Sequence, residues 1–323
     1  MTEQVVSPRR RATRLVILLM LVLVGASLLA PDTVDTWADT RDAGWGRTVA
    51  RAWADPVGDF SRRLLMDVPL RRVERLVDGE RGGAVPGGLA RPGPDAPSTT
   101  RAPRTADADR PLRILAVGDS LMLDLQYGME RELDRRPDVV VEGRGALGFG
   151  FTVPYWDWGD DVLTDYDRLV AEVAPDVVVV MIGANEFEGH AIDGEDLTPG
   201  SPRWREVLAD RAGEAIAHWR VGGAHVYWWA TPRMRDARFL TDDLNAVWVG
   251  AAEAWGAGVT MIDSMAVLGD ADGAYREVLS DGSGAEVALR KDHGVHFHEV
   301  GADLLARQLE ARLVADGWLD PAP

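Results

Sequence analysis

The chain of 323 residues predicts an α/β fold built on a five-stranded parallel sheet. The first observation is a set of five short apolar runs, at residues 112–117, 139–141, 177–182, 224–229 and 259–262, each soon followed by turn-forming or polar residues. The second is the helical patterning between them, at 121–135, 160–173, 201–221 and 236–255, with a last helix at 299–316. The third is that the strands read as continuous apolar runs rather than alternating ones, as strands covered on both faces do. Ligands bind such sheets at the carboxyl ends of the strands, so the residues just after each strand carry the functional question.

Composition bounds the answer. With 46% hydrophobic and 27% charged residues the chain is globular in character, and its length suits one substantial domain with extensions. Thirty-five basic against 52 acidic side chains give a net charge of −17, which repels phosphate backbones, so no nucleic-acid partner is expected. Cysteine is absent, which excludes disulfides, thiolate metal sites and a cysteine nucleophile.

Residues 1–30 read as a signal anchor. Arg9, Arg10, Arg11 and Arg14 precede an apolar run at 15–30, an orientation that keeps the basic end inside and sends the rest of the chain out of the cytoplasm. As a helix the run spans about 24 Å, against a hydrocarbon core of about 30 Å, so a signal peptide cleaved near Val24-Gly25-Ala26 is the alternative to a single membrane span. Residues 31–80 read as a helical stalk, with Val49, Trp53, Phe60, Leu64 and Leu65 near helical spacing and breaks at Pro56 and Pro69. Residues 81–110, dense in Gly, Pro, Ala, Ser and Thr, are expected to be a flexible linker, and 111–323 the α/β domain.

After the first strand comes Gly118-Asp119-Ser120-Leu121. A serine on a tight turn opening a helix is exposed to the helix's positive end, although Asp and Ser are also the ordinary capping residues. After the second strand, the stretch from Arg144 to Trp158 carries closely spaced glycines, which let backbone amides approach a ligand or simply serve the turn. Asn185 follows the third strand, where its side-chain amide is placed to donate to an oxyanion or to form a turn. His296 precedes the last helix, with Asp292 and His293 just upstream. A histidine of this kind takes and returns a serine proton while a carboxylate holds its tautomer. Neither His293-x-x-His296 nor His296-x-His298 is by itself a strong metal spacing.

In order and spacing, Gly118-Asp119-Ser120-Leu121, the glycine after the second strand, Gly183-Ala184-Asn185-Glu186 and Gly294-Val295-His296-Phe297 resemble the four blocks of the GDSL, or SGNH, hydrolase superfamily. The likeness runs from residue 111 to the end. The N-terminal anchor and stalk, "GSPRW" from Gly200, "WATPRMRD" from Trp229, "LNAVW" from Leu244 and Leu289-Arg290 look like the envelope-associated branch related to alginate O-acetylation proteins. The resemblance implies a three-layer α/β/α fold and serine esterase or O-acyltransferase chemistry with no metal and no cofactor. It makes Ser120 the nucleophile, His296 the base and Asp292 the orienting acid. The oxyanion hole would be the amide of Ser120, a second-block glycine and Asn185. Two departures stand out. The family's acid lies three residues before the histidine, where this chain has His293, and Asp292 lies four before. In the second block, Pro154 and Asp157-Trp158 favour Gly150, with Gly148 as the alternative.

The expected partner is an acylated envelope glycan or another small acyl ester, with Tyr155, Trp156 and Trp158 as candidates to stack on sugar rings or to fill the core. The displaced acid motivates the opposing expectation, a catalytically impaired glycan-binding or scaffolding protein on the same fold.

Overall fold

The computed structural model describes residues 100–192, 195–280 and 284–321. The expected signal anchor, the stalk and the linker up to residue 99 lie outside the described residues. Among the described residues no helix is long and apolar enough to cross a membrane.

The apolar runs form the strands β1 (Leu112–Gly118), β2 (Val139–Gly145) and β3 (Val177–Met181), followed by β6 (His225–Trp229) and β7 (Val259–Ile262). They pair in the order β2-β1-β3-β6-β7, and every pairing is parallel. Between β3 and β6 lies a small antiparallel hairpin, β4 (His190–Ile192) with β5 (Glu195–Leu197), and after β7 another, β8 (Val278–Ser280) with β9 (Glu286–Ala288). The helices are α1 (Ser120–Leu133), α2 (Thr164–Val173), α3 (Pro202–Trp219), α4 (Thr241–Trp255), the short α5 (Met265–Leu268) and α6 (Glu299–Ala315).

Side chains on a strand alternate between faces, so a central strand that is apolar throughout feeds two cores. In β3, Val177, Val179 and Met181 pack with Leu121, Leu125 and Met129 of α1 and Leu305 and Leu309 of α6. Val178 and Val180 pack on the other face with Leu169 of α2, Leu208 and Ile216 of α3, and Val247 and Trp248 of α4. The result is three layers, α/β/α. A valine or leucine buried in this way contributes about 1.5–3 kcal/mol.

The second core is rich in indoles. Phe151, which belongs to the loop after β2, meets Trp228 and Trp248 edge-on at ring-centroid distances of 6.2 and 5.7 Å, and Trp158 at 5.2 Å. One aromatic residue thereby anchors the glycine-bearing loop to the domain interior. Residues at the start of the described chain are held at the opposite end of the sheet, where Arg101 and Arg104 reach the carboxylate of Asp176 at 2.6 and 3.1 Å.

Several elements differ from expectation for identifiable reasons. The second strand runs on through Glu142, Gly143, Arg144 and Gly145, polar residues that an edge strand tolerates because one side is open to water. The helix expected from residue 160 starts two residues earlier as a π-turn, Trp158–Leu163, in which the Asp157 carboxylate accepts from the amides of Gly159 and Asp160 at 3.0 and 2.7 Å. The segment expected as one helix from 236 is broken at Leu240, which takes a left-handed conformation with φ of 48° between a short 3₁₀ turn and α4. The two hairpins and α5 leave no mark in the sequence pattern, because runs of three or four residues carry no usable periodicity.

Gly118 closes β1 against β3. Its φ is 158°, and a Cβ there would lie 2.0 Å from the carbonyl oxygen of Met181 and 2.8 Å from Cβ of Met122. Gly118→Ala is expected to destabilise the fold by about 1–3 kcal/mol, the usual cost of overpacking a closed site, read as a lower urea midpoint. An unchanged midpoint would show that the two strand ends are not as tightly closed as described.

Candidate active site

The carboxyl ends of β1, β2 and β3 converge where the strand order reverses direction, so the loops following them meet at one place. Ser120 is the first residue of α1, only 6% exposed, with Asp119 as the N-cap. His296 lies in the loop before α6, and its Nε2 is 2.7 Å from Oγ of Ser120. Residues 176 apart in the chain are thus in direct hydrogen-bond contact.

On the other side of the imidazole, Nδ1 of His296 is 3.4 Å from Nε2 of His293, the two rings standing edge to face. In sequence His293 stands three residues before His296, the place where the resemblance puts the acid. The geometry follows from a tight turn in which the Gly294 amide donates to the Lys291 carbonyl at 2.7 Å, and the Lys291 amide to the His296 carbonyl at 2.9 Å. Asp292 and His293 are the central residues of that turn, and both are exposed. The carbonyl of Asp292 accepts from Nη1 of Arg235 at 2.6 Å.

Asn185 is half-buried, and its Nδ2 donates to the carbonyl of Phe149 at 2.7 Å. That bond orients the amide between the third-strand loop and the second-strand loop and leaves a second N–H on the same nitrogen. Gly150 is buried one residue further on, where a Cβ would come within 2.7 Å of Val153 and 3.0 Å of Oε1 of Glu186. Gly148 is exposed, with φ of 68° and open space around its Cα, and its carbonyl accepts from the indole of Trp156 at 3.3 Å. Trp156 also meets Phe149 edge-on at 5.4 Å, beside Tyr155, which is 60% exposed.

Two buried carboxylates that sequence reasoning did not single out hold these loops. Asp119 accepts from the amide of Leu121 at 2.8 Å through Oδ1, and from Gly183 and Ala184 at 2.8 and 2.7 Å through Oδ2. Burial pushes its carboxyl up to about 7, opposed by the three backbone donors and reinforced by the nearby charge of Glu186. Glu186 accepts from the amides of Phe151 and Thr152 at 2.5 and 3.0 Å and from the Thr152 hydroxyl. Burial raises its carboxyl too, against those same donors. The sequence signal was present in both cases: an acid inside Gly-Asp-Ser and another directly after Asn185.

The motifs at "WATPRMRD" and "LNAVW" support the same floor. Asn245 clamps Thr231 in both directions, accepting from its amide at 2.7 Å and donating to its carbonyl at 2.9 Å. The Thr231 hydroxyl in turn donates to the carbonyl of Ile182 at 2.7 Å, and a Cβ on Gly183 would lie 2.5 Å from that hydroxyl oxygen. Arg290, 1% exposed, donates to the carbonyls of Val295 and Arg233 at 2.8 and 2.7 Å and lies over the ring of Phe297. Burial lowers its guanidinium to about 10. Among the described residues, no three His, Cys, Asp or Glu side chains are grouped as a metal ion would require.

The sequence profile described as "Protein of unknown function (DUF459)" matches residues 113–312, a span that contains Ser120, Gly150, Asn185 and His296. The chain belongs to this DUF459 family. The layering of this DUF459 member and the places of its four blocks are those implied by the resemblance to the GDSL/SGNH superfamily. No curated protein matches it in sequence. Among solved structures it is similar to a GDSL-like lipase from Bacteroides thetaiotaomicron, at 14% identity over 63% of this chain and 88% of that one, with a TM-score of 0.42. It is similar to a catalytic mutant of an acetylxylan esterase from Geobacillus stearothermophilus, at 16% identity over 65% and 96% of the two chains, TM-score 0.41. A family 3 carbohydrate esterase from Clostridium thermocellum stands at 15% identity over 64% and 96%, TM-score 0.42. At such distances the chemistry of this DUF459 member has to be argued from its own residues.

Asp119 carries a testable pH dependence. Its folded value of about 7 lies above the ordinary value of 3.8, so the folded chain holds the proton more tightly. Its contribution to stability is therefore complete below about pH 4 and is lost as the pH rises through about 7. The Tm of the wild type minus that of Asp119→Asn is expected to fall between pH 4 and 7, whatever the constant offset between the two proteins. A difference that rises over that window would contradict the assignment.

Proposed function

We propose that this protein is a serine ester hydrolase or O-acyltransferase that works through an acyl-serine, with acyl esters of cell-envelope glycans as substrates. The observation that carries the reading is the 2.7 Å contact between Oγ of Ser120 and Nε2 of His296 at the sheet's carboxyl edge. In this reading His296 takes the hydroxyl proton as Oγ attacks the ester carbonyl, and the carbonyl π electrons move onto oxygen. The oxyanion is met by the amides of Ser120 and Gly150 and by the remaining N–H of Asn185, charge stabilisation that costs no reorganisation when the donors are already in place. Gly150 is preferred to Gly148 because it is buried against Glu186 and follows directly on the carbonyl that Asn185 holds.

Collapse of the intermediate breaks the ester C–O bond, and His296 returns its proton to the leaving alcohol. Water or a sugar hydroxyl then attacks the acyl-serine in the reverse sense. Orientation of the imidazole is assigned to the Asp292–His293 turn, with Asp292 as the acid expected from the family and His293 the group whose nitrogen lies 3.4 Å from Nδ1. The glycan assignment is supported by the exposed Tyr155 and half-buried Trp156, which rim the second-block loop. The Arg-rich start and the apolar run at 15–30 support placement at the membrane with the catalytic domain outside the cytoplasm.

A fluorophosphonate probe is expected to label the wild type at Ser120 and to leave Ser120→Ala unlabelled. Turnover of 4-nitrophenyl acetate should disappear in the same variant, and full activity in it would sink the reading. Asn185→Ala should lower kcat by about 10²–10³-fold, as loss of one oxyanion donor does elsewhere. Product analysis with an acetyl donor and a glycan acceptor separates the two reactions: an acylated acceptor identifies transfer, and free acetate alone identifies hydrolysis.

A further inference from the structure

Asp124 lies one helical turn beyond Ser120 on α1, and its carboxylate reaches across to the histidine loop. Oδ2 accepts the backbone N–H of Phe297, the residue after His296, at 2.9 Å. Oδ1 accepts from the ammonium of Lys291, at the other end of the loop, at 2.8 Å. The Lys291 amide closes on the His296 carbonyl at 2.9 Å, and Arg290 and Phe297 form an antiparallel bridge just outside it. A single carboxylate therefore grips both ends of the segment that presents the imidazole. The side chains of Asp124 and Lys291 are 14% and 23% exposed, a setting in which charge-assisted hydrogen bonds are shorter and stronger than neutral ones.

Ser120 and Asp124 stand four residues apart on a helix, which puts them on one face with about 5–6 Å between their Cβ atoms. The helix is rigid over that distance, so the nucleophile and the grip on the histidine loop move as one body. The imidazole is attached one residue from the gripped amide. Its distance to Oγ is then set by the length of a helical turn and one hydrogen bond.

Building on the reading of Ser120 and His296 as nucleophile and base, we propose that Asp124 is a positioning residue that sets His296 against Ser120 by holding the histidine loop through its backbone. This grip acts on the main chain and is separate from whatever orients the ring through Nδ1. It touches neither substrate nor reacting atoms. Its contribution is to keep Nε2 within hydrogen-bond reach of Oγ, where a misplacement of about 1 Å costs on the order of 10²-fold in rate.

The test compares Asp124→Ala, Asp124→Asn and Lys291→Met in the full chain, using kcat and KM for 4-nitrophenyl acetate and the ¹⁵N NMR signals of the His296 imidazole. Asp124→Ala, which leaves no acceptor for the Phe297 amide, is expected to lower kcat by about 10–100-fold with KM within about twofold. Asp124→Asn keeps the shape and one oxygen but loses the charge, so a smaller loss of about 3–10-fold is expected, and it secures the comparison if the alanine variant does not fold. Lys291→Met removes one half of the grip and leaves the Phe297 bond in place, so a loss of kcat smaller than that of Asp124→Ala is expected. In both Asp124 variants the His296 signals should move away from the hydrogen-bonded Nε2 values of the wild type. Wild-type kcat with unmoved imidazole signals in Asp124→Asn would overturn the proposal, as would a loss in Asp124→Ala carried entirely by KM. A wild type that neither turns over ester nor labels at Ser120 would refute the Ser120–His296 chemistry instead, and the imidazole signals would still decide whether Asp124 holds the loop.

Discussion

Three backbone N–H groups point at one buried carboxylate, Asp119, and the geometry of the site hangs on that meeting. One N–H belongs to the first turn of α1 and two to the loop after β3, so a single side chain joins the turn that carries Ser120 to the loop that carries Asn185. The interaction is costly to assemble, since desolvation disfavours the charge, and it survives because each donor would otherwise be an unsatisfied buried amide. Removing the acceptor oxygens altogether would leave those donors without a partner, a larger penalty than the bond energies alone suggest.

Glu186 repeats the device for the loop after β2. Its two oxygens take the amides of Phe151 and Thr152, while Phe151 plugs the indole-rich core beneath. The loop is thus fixed from below by packing and from the side by charge. The nearby charge of Glu186 adds to burial in raising the proton affinity of Asp119, which is tolerable because each carboxylate accepts several hydrogen bonds. The consequence is a floor on which Phe149, Gly150 and Asn185 have little freedom, the preorganisation that the proposed oxyanion stabilisation needs.

The histidine side of the site is built on different principles. There the hold comes from a tight turn, from the buried Arg290 donating to two carbonyls and from Asp124 on the helix that begins at Ser120. The same turn puts Asp292 and His293 at its exposed tip and leaves His296 tied down at its base. Ser120 and His296 are brought together by backbone and helix geometry as much as by the ring contacts of the histidine.

What the amino-acid sequence determined by itself was the part of the structure governed by local rules. Five apolar runs separated by helical patterns dictate a covered parallel sheet, and the end of a strand dictates where Ser120 and Asn185 stand. His296 was legible because it stands just before the last helix with an acid close upstream, in the place of the superfamily's fourth block. Tertiary structure alone decided the pairings that cross the chain: Asp119 with an amide 64 residues away, Glu186 with one 34 away, and Asp124 with one 173 away. It also decided that His293 meets the ring of His296, that β2 continues through polar residues at the sheet edge, and that a π-turn opens at Trp158. The physical reason is the same throughout. Hydrophobic periodicity is set by neighbours in sequence, whereas the partner of a buried charge is chosen by which loops the sheet brings into contact.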